Sequence, residues 1–182
     1  MSKVICVFGN SSAEPGTPDY EEARTVGRLL AREGFAVCSG GYYGIMEAVS
    51  CGAQEAGGHT IGMPTPFYKL EPNAYLNEQI AVPRWQERLF ALVEKGDGYV
   101  VLKGGTGTLL ELAALWECLN KRAIAGRPCV AMGFWEPVLE CVRAVERQRR
   151  GRTWDEFESG LIQLAGSPEQ AVEILARALK RA

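Results

Sequence analysis

The stretch GYVVLKGGTGTLLE, residues 98–111, contains the change of pattern that decides the fold. Residues 98–102 form a short apolar run of the kind that makes a buried strand, and Thr108 opens a longer apolar segment that favours a helix. Between the two lies a turn that contains Gly104, Gly105 and Gly107. A buried strand that leads through a glycine-rich turn into a helix is typical of parallel α/β sheets.

The same alternation of short runs rich in branched residues and longer amphipathic segments continues in both directions along the chain. It predicts strands at 4–8, 35–38, 60–63, 98–102, 129–132 and 161–165, and helices at 19–33, 44–56, 83–95, 108–121, 137–150 and from Ser167 to about 181. This order predicts an α/β fold with a doubly wound parallel sheet and helices on both faces, in a single domain over residues 1–182. The proline-containing segment 64–83 is predicted to be a functional loop or lid.

Charge and composition exclude several classes of function. The 182 residues include 20 basic and 22 acidic side chains, giving a net charge of −2, and no long run of either sign occurs. This balance argues against binding to nucleic acid or to an anionic membrane surface. No apolar segment reaches the length of a membrane helix, and the N-terminal sequence lacks the features of a signal peptide. We therefore expect a cytoplasmic protein.

The cysteines and the histidine give no sign of a metal or redox centre. The six cysteines occur singly and are predicted to be buried reduced thiols. His59 is the single histidine, and one imidazole cannot build a zinc site. A serine hydrolase lacks support because no GxSxG motif occurs, so we expect a structural role for His59. We expect neither a metal nor a cofactor.

Three glycine-containing corners, residues 9–12, 39–44 and 104–108, directly follow predicted strands. In an open parallel sheet ligands bind beyond the carboxyl ends of the strands, where glycine lets backbone amides approach an anion and a helix N-terminus adds partial positive charge. The corners therefore predict a phosphate site. None of them matches GxGxxG or GxxxxGK[ST], which argues against a nicotinamide dehydrogenase and a P-loop ATPase. For Gly40, Gly41 and Gly44 a purely structural role in a sharp turn is an equally good interpretation.

Glu111 has two interpretations. It follows Thr108 by three positions, which is the spacing of a capping box and would make the glutamate structural. Alternatively, its carboxylate lies at the rim of the predicted anion site, where it could orient water or stabilise developing positive charge.

Arg88 also has two interpretations. It shares one face of the predicted helix 83–95 with Arg84, and surface arginines in this arrangement usually contact solvent and carboxylates. A guanidinium is, however, the side chain best suited to bidentate contacts with phosphate or ribose oxygens. The buried stripe of this helix is predicted to consist of Trp85, Leu89 and Leu92.

Three segments resemble the signatures of the Lonely guy family of cytokinin-activating phosphoribohydrolases. KGGTGTLLE at 103–111 resembles the PGGxGTxxE motif, SGGYYGIME at 39–47 resembles GGGxxGLMG, and CVFGNSS at 6–12 is similar to that family's first strand and corner. The similarity extends from about Val4 to Leu119. Arg88 stands fifteen residues before Lys103, which matches the position of the family's upstream arginine.

The resemblance implies a Rossmann-like homodimer, or a higher homo-oligomer, that needs no cofactor. It implies hydrolysis of the N-glycosidic bond of a nucleoside 5′-monophosphate, of the adenosine or cytokinin-riboside type, to free base and ribose 5-phosphate. Arg88 and Glu111 would be the catalytic residues. The substrate and its phosphate would be bound by Ser11, Ser12, Gly40, Gly41, Gly44, Met46, Gly104, Gly105, Thr106, Gly107 and Thr108.

The sequence departs from the family pattern at five positions, Lys103, Ser39, Glu47, Leu89 and Leu110. The pair Arg88 and Glu111 is kept, but a basic and an acidic neighbour are replaced by leucine. The alternative function is that of a non-catalytic nucleotide or molybdenum-cofactor carrier of the same fold. A lysine decarboxylase is disfavoured because no lysine is placed as a Schiff-base residue.

Overall fold

Seven parallel strands form one sheet in the part of the chain that the computed structural model describes, residues 2–150 and 160–180. The strands are β1 (Val4–Phe8), β2 (Ala36–Ser39), β3 (Thr60–Gly62), β4 (Glu78–Gln79), β5 (Gly98–Val101), β6 (Cys129–Met132) and β7 (Ile162–Ala165). Their order is β4-β3-β2-β1-β5-β6-β7, and every neighbouring pair is parallel. The chain runs outward from β1 to β4 and then returns to place β5 on the other side of β1.

Helices cover both faces of this sheet. They are α1 (Pro18–Arg32), α2 (Ile45–Glu55), α3 (Trp85–Lys95), α4 (Thr106–Asn120), α5 (Glu136–Arg150) and α6 (Pro168–Leu179), with 3-10 turns at Pro66–Tyr68 and Gly133–Trp135. α1, α2 and α6 pack on one face, and α3, α4 and α5 pack on the other.

Alternating side chains of each central strand supply the two cores. In β1, Ile5 and Val7 belong to the core under α1, whereas Cys6 and Phe8 belong to the core under α3. A strand buried on both faces has to be apolar at every position, which explains the continuous apolar runs in the sequence. The predicted doubly wound parallel sheet with helices on both faces is confirmed.

The start of α4 differs from the prediction in a way that affects Glu111. The helix begins at Thr106 with Gly105 as its N-cap residue, and no side chain caps it. The amides of a first helical turn need no partner within the helix, so residues with poor helix propensity are tolerated there. Thr108 therefore lies within the helix and buried, and the predicted capping box with Glu111 is wrong.

Two smaller features were predicted with different success. Ser167 caps α6 as expected and accepts a hydrogen bond from the amide of Gln170 at 3.2 Å. β4 was not predicted, because two exposed polar residues at a sheet edge carry no apolar pattern.

Segment 64–83 is a loop tied to the sheet rather than a free lid. The hydroxyl of Tyr42 donates to the carbonyl of Thr65 (2.7 Å) and accepts from the amide of the same residue (2.8 Å). Asn73 donates from its side chain to the carbonyl of Tyr42 (2.8 Å) and from its backbone to the carbonyl of Gly41 (2.9 Å). These contacts support the loop interpretation and not the lid.

Two burial predictions need correction. Cys6, Cys38 and Cys129 are buried, but Cys51 and Cys118 are partly exposed and Cys141 is exposed, because the helices of a two-sided sheet keep their outer faces in solvent. The buried face of α3 consists of Arg88, Leu92 and Val93, whereas Trp85 and Leu89 are only partly buried.

Neither a membrane helix nor a metal cluster occurs in the described ranges. In residues 2–150 and 160–180 no helix is both long and apolar enough to cross a bilayer. The same ranges contain no group of three or more His, Cys, Asp or Glu side chains arranged to hold a metal ion.

The turn between β2 and α2 generates a test of the fold. Gly44 has a φ of +67°, and a Cβ at this position would lie 2.5 Å from the backbone carbonyl carbon of Ser11. We expect Gly44→Ala to lower the free energy of unfolding by about 2 kcal/mol or more, measured by urea denaturation. Gly126→Ala is the control, because a Cβ at Gly126 would meet nothing within 4 Å. Equal stability of the two variants would contradict this account.

Candidate functional site

A cavity of about 480 Å³ lies beyond the carboxyl ends of the strands, where the turns after β1, β2 and β5 meet. This is the switch point of the sheet, because the chain continues from β1 to β2 on one side and the returning β5 lies on the other. The cavity brings together most of the predicted site residues, namely Ser11, Ser12, Met46, Arg88, Gly105, Thr106, Gly107, Thr108 and Glu111.

Four predicted glycines, Gly40, Gly41, Gly44 and Gly104, do not line the cavity and instead allow close packing. A Cβ on Gly40 would lie 1.9 Å from Nη2 of Arg88, and one on Gly104 would lie 2.1 Å from Oγ1 of Thr108. Gly41 and Gly44 both have positive φ angles, +83° and +67°.

The two predicted site glycines that do line the cavity, Gly105 and Gly107, have a different environment. A Cβ on Gly105 or Gly107 would meet no protein atom within 4 Å. Neither residue needs to be glycine for packing. Their backbone lies open to the cavity at the N-terminus of α4, as an anion-binding turn requires.

Arg88 is buried, with 7% of its surface exposed. Its Nε donates to the carbonyl of Met63 and its Nη2 to the carbonyl of Gly40 at 2.8 Å. The guanidinium carbon lies 5.6 Å from the ring centroid of Tyr42 and 5.7 Å from that of Tyr68. The solvent-exposed interpretation is therefore wrong for Arg88.

Arg84 behaves as that interpretation expects. It is exposed and pairs with Glu87 at 3.4 Å. The two arginines differ because α3 begins at Trp85, which leaves Arg84 at the cap position outside the helix and puts Arg88 on the face that packs against the sheet.

Glu111 lies in the second turn of α4 and lines the same cavity as Arg88. Burial raises the pKa of its carboxyl to about 7, and the nearby positive charge of Arg88 limits the increase. No hydrogen bond from another described residue reaches the carboxylate. Near neutral pH this group is present in both protonation states, which suits a residue that exchanges protons.

Sequence reasoning missed Asn10 as a residue that holds the site together. Its backbone amide and its side-chain amide both donate to the carbonyl of Lys103, at 3.1 and 3.3 Å. Its side-chain oxygen accepts from the amides of Ser12 (3.0 Å) and Ala13 (2.7 Å), and its carbonyl accepts from the amide of Ile45 (2.9 Å). Asn10 thus joins the turn after β1 to the turn after β5 and to the start of α2.

Sequence reasoning also missed Tyr42, Tyr43, Tyr68 and Leu70, which line the cavity. A signal existed for the first two, because two tyrosines stand between Gly41 and Gly44 in a turn where small residues would suffice. For the other two no signal existed, since their position depends on how segment 64–83 returns over the sheet.

Lys103 and His59 lie away from the cavity. The Lys103 ammonium pairs with Asp19 of α1 at 2.9 Å and lies 5.9 Å from the ring centroid of Phe134. His59 is exposed, and its Nε2 lies 3.2 Å from a carboxylate oxygen of Glu78 at the sheet edge, in keeping with a structural role.

The fold and the site define a class, the doubly wound α/β proteins with a polar cavity at the switch point of the sheet. The particular family follows from comparison with known proteins. The model described as the SLOG cluster4 family matches residues 2–131, and the chain belongs to that family.

Two of the relatives that carry functional names are the following enzymes. The pyrimidine/purine nucleotide 5′-monophosphate nucleosidase of Escherichia coli K12 is 36% identical over 131 residues, which cover 66% of this chain but 28% of that enzyme. The cytokinin riboside 5′-monophosphate phosphoribohydrolase of Rhodococcoides fascians is 28% identical over 149 residues, which cover 77% of this chain and 74% of that enzyme. The chain thus spans little more than a quarter of the first enzyme and about three quarters of the second.

Among solved structures, the Moco carrier protein of Chlamydomonas reinhardtii superimposes with a TM-score of 0.77. The alignment covers 100% of both chains at 21% identity. This similarity shows the fold.

The raised pKa of Glu111 predicts a pH-dependent cost to stability. The folded chain holds this proton up to about pH 7, whereas the unfolded chain loses it near 4.5, so stability is lost as the pH rises between these values. Glu111→Gln removes this loss. The stability gain of the variant over the wild type should therefore be about 1–2 kcal/mol larger at pH 8 than at pH 5, measured by urea denaturation. A gain of equal size at the two pH values would contradict the raised pKa of Glu111.

Proposed function

We propose that this protein hydrolyses the N-glycosidic bond of nucleoside 5′-monophosphates and releases the free base and ribose 5-phosphate. The observation that carries the proposal is the presence of Arg88 and Glu111 in one cavity, where the carboxylate accepts no hydrogen bond from residues 2–150 or 160–180 and faces the space a ligand would fill. The names of the two relatives point to the same reaction class. A volume of about 480 Å³ lies within the range of roughly 300–1,000 Å³ typical of small-molecule sites.

The 5′-phosphate would bind at the turns after β1 and β5. Ser11, Ser12 and Thr106 offer hydroxyl groups there, and Gly105 and Gly107 expose backbone without a side chain in the way. The N-terminus of α4 adds the partial positive charge that favours an anion.

The reaction passes through an oxocarbenium-like state at C1′. The bond from C1′ to the base nitrogen breaks, a water oxygen bonds to C1′, and the water gives up one proton. Ionised Glu111 would take that proton and stabilise the developing positive charge on the sugar. The base leaves with the bonding electron pair and takes up one proton, so that the overall reaction adds one water across the bond.

Arg88 would act by position and charge. Its Nε and Nη2 are occupied by two backbone carbonyls, and Nη1 donates to no described protein group. This leaves a fixed donor for a phosphate or ribose oxygen, held with little freedom to lose on binding. The homodimer implied by the family resemblance belongs to the same proposal, and sedimentation of the purified protein tests it.

The first test concerns Glu111. We expect Glu111→Gln to keep the fold and to lower turnover of adenosine 5′-monophosphate by about 100-fold or more, because glutamine can neither take a proton nor carry negative charge. In the wild type, kcat/KM, which follows the ionisation of the free protein, should rise about tenfold between pH 6 and pH 8 as the carboxyl ionises around its pKa of about 7. Release of free base, followed by chromatography, measures both effects. Full activity in the variant would remove Glu111 from the mechanism.

The second test concerns the phosphate. The Glu111→Gln variant is used so that the ligand is not cleaved. We expect it to bind adenosine 5′-monophosphate at least about 30-fold more tightly than adenosine, because the bare nucleoside lacks the anion that the turns bind. Calorimetry with the two ligands measures the difference. Equal affinities would contradict the phosphate site. Tight binding of monophosphates together with no release of base by the wild type would favour the carrier alternative.

A further inference from the structure

One wall of the cavity is aromatic and apolar. Tyr43, Tyr68 and Leu70 line it, and 42%, 39% and 50% of their respective surfaces are exposed. Tyr43 comes from the turn after β2, and the other two come from segment 64–83, which follows β3. Large apolar side chains left exposed together beside a cavity commonly mark a binding surface.

The sheet order separates this wall from the anion-binding turns. Strands β3 and β2 lie on one side of β1, and β5 lies on the other. A ligand whose phosphate occupies the turns after β1 and β5 would therefore extend its other end toward Tyr43, Tyr68 and Leu70.

The wall offers few groups that could recognise a base by hydrogen bonds. Asn10 lines the cavity with a carboxamide, but the amide of this side chain donates to Lys103 and its oxygen accepts from Ser12 and Ala13. The hydroxyl of Tyr42 both donates to and accepts from Thr65, and the hydroxyl of Tyr68 accepts from Nε1 of Trp85 at 2.6 Å. A bidentate side chain such as a carboxamide commonly reads a base edge, and Asn10, the carboxamide among the described residues that line the cavity, is already engaged.

The ring of Tyr68 is held in place on several sides. Besides the hydrogen bond from Trp85, it forms edge contacts with Tyr42 and Phe67, at centroid distances of 5.6 and 5.3 Å. A ring that is already ordered loses little freedom when a flat ligand packs on it.

We propose that Tyr43, Tyr68 and Leu70 form a nucleobase subsite that binds by stacking and apolar contact and does not read the hydrogen-bonding edge of the base. Purine and pyrimidine 5′-monophosphates would then be accepted alike, because every base has a face that stacks on an aromatic ring. This inference rests on the proposed function, since it assigns the second half of the same substrate.

The test compares ligands with and without a base. Calorimetry is run with adenosine 5′-monophosphate, uridine 5′-monophosphate and ribose 5-phosphate on the Glu111→Gln protein, so that no ligand is cleaved. The same titrations are repeated with Tyr43→Ala, Tyr43→Phe or Leu70→Ala added to that protein. Tyr43 is suited to this because it is 42% exposed and its side chain forms no hydrogen bond with another residue of the described ranges, so its removal should not affect folding. Phe90→Ala is the control, since Phe90 is 51% exposed on α3 and does not line the cavity.

We expect the Glu111→Gln protein to bind the two monophosphates within about tenfold of each other. Adding Tyr43→Ala should weaken both by about 5- to 50-fold and leave the affinity for ribose 5-phosphate within about twofold. Adding Tyr43→Phe should cause no loss, Leu70→Ala should show a smaller loss in the same direction, and Phe90→Ala should show none.

Three results would overturn the subsite. The first is a difference of about 100-fold or more between the affinities for the two monophosphates. The second is that Tyr43→Ala weakens binding of ribose 5-phosphate as much as binding of the monophosphates. The third is that neither Tyr43→Ala nor Leu70→Ala weakens binding of any ligand.

Because affinity is measured apart from turnover, failure of the proposed function can be distinguished from failure of the subsite. A protein that shows the expected affinities but releases no base supports the subsite and contradicts the hydrolase. A protein that cleaves adenosine 5′-monophosphate but does not bind uridine 5′-monophosphate supports the hydrolase and contradicts the subsite.

Discussion

The burial of the Arg88 guanidinium is the constraint on which the site depends. A charge removed from water has to be matched by hydrogen bonds and by nearby opposite charge or polarisable groups. Here the carbonyls of Met63 and Gly40 accept its protons, and two tyrosine rings flank it. These contacts hold α3 against the ends of β2 and β3. They also explain Gly40, where any side chain would occupy the space of the guanidinium. The remaining effect of the charge acts on Glu111, whose pKa would be higher without it.

Glu111 shows the opposite balance, because its environment favours reactivity over stability. The carboxyl is desolvated and accepts no protein hydrogen bond in the described part of the chain, so its ionised form is unfavourable in the folded state. Such a group stabilises nothing locally. It is tolerated because two other features stabilise the surrounding turns, namely the hydrogen bonds of Asn10 and the packing of Thr108 under Gly104. The hydrogen-bonded turns and the desolvated carboxyl of Glu111 are therefore complementary parts of one site.

The relatives illustrate how far a fold determines a function. The solved structure of a Moco carrier covers this whole chain, and the two relatives identified by sequence are named as enzymes that act on nucleoside 5′-monophosphates. One fold can therefore serve for carriage and for catalysis, and the difference lies in the side chains of the cavity. In the function proposed for this chain, Arg88 and Glu111 would act in catalysis, and the tyrosines after β2 and β3 that line the same cavity would select the ligand.

The sequence by itself determined the parallel α/β sheet and the three glycine corners, and its resemblance to a known family singled out Arg88 and Glu111, which the fold brings into one cavity. It could do so because alternating apolar segments, glycine turns and motif spacing are local properties that precede folding. Only the tertiary structure decided that Arg88 is buried, that Glu111 is not part of a capping box, and that Asn10 joins the turns. The part of the aromatic wall formed by Tyr68 and Leu70 was likewise invisible in the sequence. Each of these depends on the rotation of a helix or the return path of a loop, and such features are set by packing between segments that are distant in sequence.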